Sequence, residues 1–319
     1  MESPLTAVVA IYGSGQLGSS VAQILRERQH YIVRGPFGRT SADAALNSGA
    51  DLVIIATTSR FRDVAADIER AVRAGSNVLV SAEECANPWL VDAQLADRIH
   101  TLARSQGVTV LGAGLNPGLV FDALVLTLLG ATPAGVDIKV TRVVDIGHFG
   151  PSVLERLGVG VDEDTFRKRV ASGDILGHAG FPQSMSIVAR ALGLNIEKID
   201  EEIDPVIGFE PVTLPSGTSL QRDLSVGVIQ TYRAQVENST WFTAVFRGHV
   251  RPDLADWEPQ DTIELWRDGE LERRVTIAPG LPSQSGSQSM IANSVDRVLS
   301  GRSGWLTVAD LPPASGTHR

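Results

Sequence analysis

The 319 residues suffice for about two domains, and a hydrophobic share of 43% is enough for packed cores. The formal net charge of −9 excludes the concentrated basic face that a nucleic-acid partner requires. No apolar run reaches the length of a membrane helix, and Met1–Thr6 lacks the features of a signal peptide. The single cysteine, Cys85, forbids an internal disulfide. We therefore expect a cytoplasmic globular protein without a membrane partner.

An apolar run of strand length at residues 7–12 leads into a Gly-x-Gly-x-x-Gly turn, and a helical pattern follows the turn at once. In such a motif the first glycine permits the tight turn, the second lets the backbone approach a pyrophosphate, and the third lets helix and strand pack closely. The phosphates would bind unpaired N–H groups at the positive end of the helix. A buried strand followed by an ordinary glycine-rich turn is the alternative. The candidate cofactor-binding residues here are Gly13, Gly15, Gln16, Leu17 and Gly18.

The second predicted strand, at residues 30–34, ends on a basic residue where NAD-preferring folds often carry an acidic one. A guanidinium at Arg34 or Arg39 suits a 2′-phosphate, and the Thr40 hydroxyl could donate a further hydrogen bond. We therefore expect NADP as the cofactor, with NADPH preferred and NADH still possible. The alternative is that both arginines are ordinary surface residues.

Three further apolar runs alternate with helical patterns, which predicts a parallel sheet with right-handed crossovers. The loops after these strands should therefore converge on one crevice at the carboxyl edge of the sheet, and Thr57 in the first loop is a candidate cofactor contact. The predicted strands are 50–56, 77–81 and 108–111, the helices are 63–74, 89–105 and 119–129, and the loops are 57–60, 82–86 and 112–118.

Beyond residue 136 the pattern changes, because the strand at 137–146 alternates polar and apolar residues as a strand with one solvated face does. A helical stretch and then a β-rich stretch follow, which predicts a mixed or mainly antiparallel second sheet. Large open sheets of this kind often join subunits, so we expect a homo-oligomer, most simply a dimer. The predicted helices are 151–157, 162–172, 182–192 and 289–299, the strands are 205–213, 224–236, 240–250, 261–267 and 271–277, and 278–289 is a connection.

The strongest candidate for catalysis is the acidic pair Glu83 and Glu84, which follows the fourth strand beside the expected nicotinamide position. Adjacent residues point in different directions, so one of the two should face the cleft. A carboxylate there could hold an ammonium group, stabilise an iminium ion or move a proton. A solvated acidic loop or a charge at a helix N-terminus is the alternative.

Other candidate site residues follow later strands. Asn116 and Pro117 come after the fifth strand and could contact the nicotinamide, or could merely cap a helix. His178, between glycines, and the weaker candidate His148 could line a substrate pocket, or could be ordinary surface histidines. No Gly-x-Ser-x-Gly elbow supports a serine hydrolase, and no Cys/His cluster predicts a metal site.

Four motifs with this spacing resemble the 2,4-diaminopentanoate dehydrogenase group, with which the native NAD(P)H-dependent amine dehydrogenases belong, in the wider dihydrodipicolinate reductase-like class. The likeness spans nearly the whole chain, including its ending at 290–312. The paired histidines and the Lys-x-Asp-x-Pro-Ser-Gly-Thr stretch of true dihydrodipicolinate reductases are absent. The four motifs are Gly13-x-Gly15-x-x-Gly18, Ser81-Ala-Glu83-Glu84, Gly112-Ala-Gly114-Leu-Asn116-Pro117-Gly118 and Leu176-Gly-His178-x-Gly-x-Pro-x-Ser184.

The resemblance implies an α/β fold, in which a doubly wound Rossmann domain (1–134) precedes an α+β substrate-binding and oligomerisation domain with a mixed sheet (135–285), and a C-terminal helix (286–319) returns to the first domain. It implies amine dehydrogenase activity, with a small amine or carbonyl compound and ammonia as partners, and places Glu83 or Glu84 beside the substrate amine. A reductase acting on imines, alcohols or dihydrodipicolinate-like compounds without ammonia exchange is the enzymatic alternative. A nucleotide-sensing Rossmann protein is the non-enzymatic one.

Overall fold

A computed structural model of the chain describes residues 6–316, so residues 1–5, on which the expectation of a missing signal peptide partly rests, lie outside the described part. The strands, in chain order, are β1 (Ala7–Tyr12), β2 (Tyr31–Phe37), β3 (Leu52–Ile55), β4 (Asn77–Val80), β5 (Thr109–Gly112), β6 (Asp137–Asp145), β7 (Lys198–Ile207), β8 (Val212–Thr213), β9 (Ser219–Leu220), β10 (Ser225–Val236), β11 (Ser239–His249), β12 (Gln260–Arg267), β13 (Glu270–Ile277) and β14 (Gly304–Leu306). The helices are α1 (Gln16–Arg26), α2 (Asp43–Leu46), α3 (Phe61–Arg73), α4 (Ala93–Gln106), α5 (Ala123–Leu129), α6 (Pro151–Arg156), α7 (Glu163–Ser172), α8 (Phe181–Leu192), α9 (Ser283–Asn293) and α10 (Val295–Leu299).

The chain packs into two compact units, each built from separate segments. The first unit falls within Met1–Leu128, Pro182–Gly193 and Pro282–Arg319, and the second comprises Leu129–Phe181 and Leu194–Leu281. Nearly all of α8 thus belongs to the first unit, although it stands inside the 135–285 segment of the sequence analysis.

The first unit holds a six-stranded parallel sheet with the order β14-β5-β4-β3-β1-β2. Residues of one strand alternate between two apolar clusters, so Ala10 faces the cluster around Phe61 whereas Ile11 faces the cluster around Val295. Helices therefore cover both faces of the sheet, as the sequence predicts for a doubly wound fold. No helix among residues 6–316 is long and apolar enough to span a bilayer.

Two strands of this sheet differ from their predicted form. The sixth strand, β14, has only three residues, too few to give a pattern, and it pairs with β5. The second strand does not end at Arg34 but continues through Pro36 to Phe37. The β1–β2 pairing is irregular here, because Ala10 pairs with Arg34 and Tyr12 with Phe37, so Pro36 lies at a bulge of an edge strand, where a missing N–H is tolerated.

Several helix ends were also predicted wrongly. The predicted helix 89–105 begins only at Ala93, because the Asp92 side chain accepts the Leu95 N–H at 3.1 Å and caps the helix there. The predicted helix 119–129 begins at Ala123 after a loop. The predicted connection 278–289 is helical from Ser283 onwards, since α9 starts there.

The second unit contains a six-stranded mixed sheet with the order β13-β12-β6-β11-β10-β7, in which β6 and β11 run parallel and the other pairs antiparallel. The predicted mixed sheet is therefore confirmed. The predicted strand 205–213 has the wrong bounds, since β7 runs from Lys198 to Ile207 and the short β8 (Val212–Thr213) covers the end of the predicted range. The many charged residues of β7 are tolerated because it is an edge strand.

Candidate active site

The glycine turn after β1 has the geometry of a dinucleotide-binding turn. A Cβ atom on Gly13 would lie 2.2 Å from the Ala56 carbonyl oxygen, and one on Gly18 would lie 1.9 Å from the Gly13 carbonyl oxygen. Only glycine therefore fits at these two close approaches. A Cβ on Gly15, in contrast, would meet no described atom within 4 Å. The backbone at Gly15 is therefore open to the approach of a ligand such as a pyrophosphate.

Helix α1 begins directly at this turn, at Gln16. No side chain of the described residues caps the helix at Gly15, so the N–H groups of its first turn stay available to an anion. The Gln16 side chain bonds Gln284 of α9 at 3.2 Å, and Leu17 packs against the apolar cluster around Ile11. The backbone of Gln16 and Leu17, rather than their side chains, is therefore what the turn offers to a phosphate.

The candidate ribose contacts surround the end of β2. Arg34 lies within the strand, and Arg39 and Thr40 lie in the 3₁₀ turn Arg39–Ser41; all three are exposed. Among the described residues, no carboxylate pairs with either guanidinium. The next acidic residue, Asp43, forms an ion pair with Arg70. The region is thus basic, which suits an additional phosphate.

The loops after β3 and β4 meet at the same edge of the sheet. Thr57, directly after β3, is exposed, and the Glu84 N–H bonds the carbonyl oxygen of Ser59 in that loop at 3.3 Å. Glu83 and Glu84 begin the short 3₁₀ turn Glu83–Ala86. The structure therefore brings the loop of Thr57 and the acidic pair together.

The two glutamates differ in what they contact, although both are half-buried. The Glu84 carboxylate accepts the Phe61 N–H at 2.7 Å and so occupies the N-terminus of α3. No described residue donates a hydrogen bond to the Glu83 carboxylate. Burial, followed by the charges of Glu84 and Glu83, raises the pKa of the Cys85 thiol well above its usual value, so this thiol is not a nucleophile.

The loop after β5 contacts the acidic turn and carries the candidate amide. A Cβ on Gly112 would lie 2.1 Å from the Cys85 carbonyl oxygen, so glycine lets β5 reach the turn. Pro117 is buried and Asn116 is half-buried. The Asn116 Oδ1 atom is buried without a partner among the described residues. Such an orphaned acceptor fits a ligand amide that donates.

The sequence missed the residue that holds this loop. Asp122 is fully buried, and its carboxylate accepts the N–H groups of Gly118 (2.8 Å) and Ala123 (2.7 Å) and the Ser184 hydroxyl (2.8 Å). Burial raises the pKa of Asp122, while these hydrogen bonds act to lower it. A predicted helix covered this position, which hid its role.

The two candidate histidines lie in the second unit, in different environments. His148 is exposed. The His178 ring packs against the rings of Phe181 and Phe246, with centroids at 4.9 and 5.3 Å, and its Nδ1 is buried without a partner in the described chain. Burial, then the charge of Arg142, lowers the pKa of His178 to about 4, so it is neutral near pH 7.

A polar network that the sequence did not reveal fixes the loop of His178. The side-chain oxygen of Gln230, in β10, accepts the backbone N–H of His178 at 2.7 Å. The side-chain NH₂ of Gln230 donates to the Glu201 carboxylate at 2.7 Å. Glu201 also accepts the Tyr232 hydroxyl at 2.5 Å. The guanidinium of Arg156 also lowers the pKa of His178, and its Nε is buried without a partner within the described residues.

Fold and comparisons together define the class: the chain is a nicotinamide-dependent oxidoreductase of the Rossmann type. A family model described as "2,4-diaminopentanoate dehydrogenase C-terminal domain" matches residues 119–318. The chain therefore belongs to this family, and the resemblance inferred from the motifs is confirmed. It is 27% identical to a 2,4-diaminopentanoate dehydrogenase of Acetoanaerobium sticklandii, over 95% of this chain and 93% of that protein.

Solved structures support the same fold. The amine dehydrogenase of Mycobacterium smegmatis matches with a TM-score of 0.78 at 20% identity, over 98% of this chain and 97% of that one. GenD2 from gentamicin A biosynthesis, solved with NAD, matches with a TM-score of 0.53 at 15% identity, over 96% of this chain and 90% of that one. The family model and the curated relative, rather than these structures, confirm the predicted amine dehydrogenase-like oxidoreductase as to class.

Proposed function

We propose that the chain is an NADP(H)-preferring amine dehydrogenase acting on a small amine. In the reductive direction a ketone or aldehyde, ammonia, NADPH and a proton give the amine, water and NADP⁺; the reverse reaction is oxidative deamination. The observation that carries this proposal is the Glu83 carboxylate, half-buried at the end of β4 and without a hydrogen-bond donor among the described residues.

The first unit has the residues needed to hold the cofactor. The turn Gly13–Gly18 with the N–H groups of Gln16 and Leu17 would bind the pyrophosphate, and Thr57 would lie along the dinucleotide. Arg34, Arg39 and Thr40 would bind a 2′-phosphate, which is why we propose NADPH over NADH. Asn116 and Pro117 would contact the nicotinamide amide. When bound, the nicotinamide donates a hydride in the reductive direction and accepts one in the oxidative direction.

The role of Glu83 follows from its charge. Amine oxidation turns a carbon–nitrogen single bond into an iminium ion, so positive charge remains at nitrogen while the hydride leaves. Two opposite unit charges roughly 4 Å apart attract by about 4 kcal/mol at an effective dielectric constant of about 20. A carboxylate without another partner can direct this attraction at the substrate nitrogen. Glu84, whose carboxylate caps α3, has a structural role instead.

His178 and His148 are the candidate substrate contacts of the second unit. His178, neutral near pH 7 and packed against aromatic rings, could donate or accept a hydrogen bond to an uncharged part of a small substrate. His148 is exposed and is the weaker candidate. We also propose that the protein is cytoplasmic and forms a homodimer. Sedimentation equilibrium would test the dimer by its mass.

The test compares three single variants with the wild type in ammonium-dependent oxidation of NADPH, using a panel of small ketones and aldehydes. Glu83→Gln should lower kcat/KM by roughly 100–1,000-fold, as removal of one charge-stabilising group does. Glu84→Gln should mainly lower stability. Glu27→Gln, at an exposed position at the far end of α1, is the matched control and should match the wild type.

Three outcomes would contradict the proposal. Full activity in Glu83→Gln removes the proposed carboxylate from catalysis, whatever the activity of Glu84→Gln. Turnover of a carbonyl compound that does not need ammonium indicates a reductase without ammonia exchange. NADPH that binds tightly and is never oxidised with any substrate indicates a nucleotide-sensing protein.

A further inference from the structure

We propose that Asp122 is a positioning residue that holds the loop of Asn116, and that helix α8 fixes this loop and the acidic turn together. The inference rests on the proposed function, because only there does Asn116 contact the nicotinamide. It assigns Asp122 a role through its partners, without contact to the cofactor or substrate.

The contacts of Asp122 lead directly to Asn116. Its Oδ2 accepts the N–H of Gly118, two residues after Asn116, and a Cβ on Gly118 would lie 2.1 Å from the Gly114 carbonyl oxygen. The loop is therefore closed on itself, with the orphaned Oδ1 of Asn116 between its two glycines. Releasing Gly118 would let the amide of Asn116 move.

The chemistry of the three donors explains why the residue is a carboxylate. Both Asp122 oxygens face donors, namely two N–H groups and one hydroxyl. An asparagine offers one oxygen and one NH₂ group, so either Gly118 or Ala123 would face another donor. Burying a charged carboxylate has a large desolvation free energy, so an apolar side chain would be more favourable if the residue served packing alone. The carboxylate is thus suited to binding all three donors at once.

Helix α8 contacts the second candidate loop with a second hydroxyl. The Ser186 hydroxyl accepts the side-chain N–H of Asn87 at 3.0 Å, and Asn87, 4% exposed, directly follows the acidic turn Glu83–Ala86. Ser184 and Ser186 are two residues apart, so they point about 200° apart around the helix axis. Helix α8 therefore lies between the two loops and sets the spacing of Asn116 and Glu83.

The experiment compares Asp122→Asn, Ser184→Ala and Ser184→Thr, with Ser105→Ala as the control. The Ser105 hydroxyl makes one hydrogen bond, to Leu102 at 2.7 Å near the end of α4, so the control also loses one hydroxyl contact. The readouts are hydrogen–deuterium exchange of residues 114–120 in cofactor-free protein, the Kd of NADPH by fluorescence, and kcat and KM with NADPH and with 4-deuterated NADPH.

Asp122→Asn should speed exchange in the 114–120 loop and raise the NADPH Kd by about tenfold, equivalent to one lost hydrogen bond to a charged group. Its kcat should fall more than its carbonyl KM changes, with a larger isotope effect, because hydride transfer from a mispositioned ring becomes slower. Ser184→Ala should show a smaller change of the same kind, Ser184→Thr should restore the wild-type values, and Ser105→Ala should not differ from the wild type.

Unchanged loop exchange and an unchanged NADPH Kd in both Asp122→Asn and Ser184→Ala would overturn the inference, and so would a Ser184→Thr that fails to rescue. If Asp122→Asn does not fold, the Ser184 pair decides the question. If the wild-type protein turns over no amine, the proposed function fails, yet exchange and NADPH binding still test the positioning role separately.

Discussion

Replacing His178 by glutamine should change how the stability of the protein depends on pH. In the folded protein the pKa of His178 is lowered from 6.5 to about 4, first by burial and then by the charges of Arg142 and Arg156. The folded state therefore favours the neutral ring. The contribution of the neutral ring to the free energy of unfolding is fully present above pH 6.5, the pKa of the unfolded state. It is lost as the pH falls through the pKa of the folded state, about 4.

The size of the effect follows from the shift. Each pKa unit corresponds to about 1.4 kcal/mol, so a shift from 6.5 to about 4 amounts to about 3 kcal/mol. Other groups also titrate in this range, but they do so in the variant as well. The difference in free energy of unfolding between the wild type and His178→Gln isolates the contribution of this ring.

Urea unfolding at pH 7, 6, 5 and 4 measures this difference. The wild type should lose about 3 kcal/mol relative to His178→Gln between pH 7 and pH 4. His148→Gln is the matched control for the loss of an imidazole, because its ring is exposed in the same unit. A difference for His178→Gln that stays constant with pH would refute the argument from burial and neighbouring charge.

Three further predictions concern the first unit. Glu84→Ala removes the acceptor of the Phe61 N–H and should lower the free energy of unfolding in urea by about 1–2 kcal/mol; a variant as stable as the wild type would disprove the cap. Gly112→Ala puts a Cβ 2.1 Å from the Cys85 carbonyl oxygen and should lower Tm by several degrees, corresponding to about 1–3 kcal/mol, whereas an unchanged Tm would mean that the contact is looser. Arg39→Ala should raise the Kd of NADPH by about 10–100-fold in fluorescence titrations while leaving that of NADH within about twofold, and an equal change for both would remove Arg39 from 2′-phosphate binding.

The sequence was sufficient to predict strands that are buried on both faces. β3 and β4 are buried on both faces and read as unbroken apolar runs, which is why a parallel sheet could be predicted. Edge strands carry a weaker signal. β7 is rich in charged residues and β14 has three residues, so neither shows a clear period, and pairing with a neighbour defines them.

The candidate site could be predicted only where a motif of residues adjacent in the chain forms it. The glycine turn is local, and the structure has it at the predicted position. The choice between Glu83 and Glu84, in contrast, depends on the Phe61 N–H, 23 residues away in the chain. Asp122 binds Ser184 across 62 residues, and no periodicity within a helix or strand can indicate such a contact.

A common use of carboxylates in this chain explains why Glu83 is unusual. Several carboxylates accept a backbone N–H at the start or end of a distant or neighbouring element: Asp51 accepts Val8, Glu84 accepts Phe61, Asp122 accepts Gly118, Asp261 accepts Leu281, and Asp310 accepts Thr307. Each of these negative charges is thereby committed to the fold. Glu83 stands in the same turn as Glu84 and accepts no hydrogen bond from any described residue. The negative charge of Glu83 is therefore not committed to a described backbone N–H, and it stays available to attract a bound cationic nitrogen.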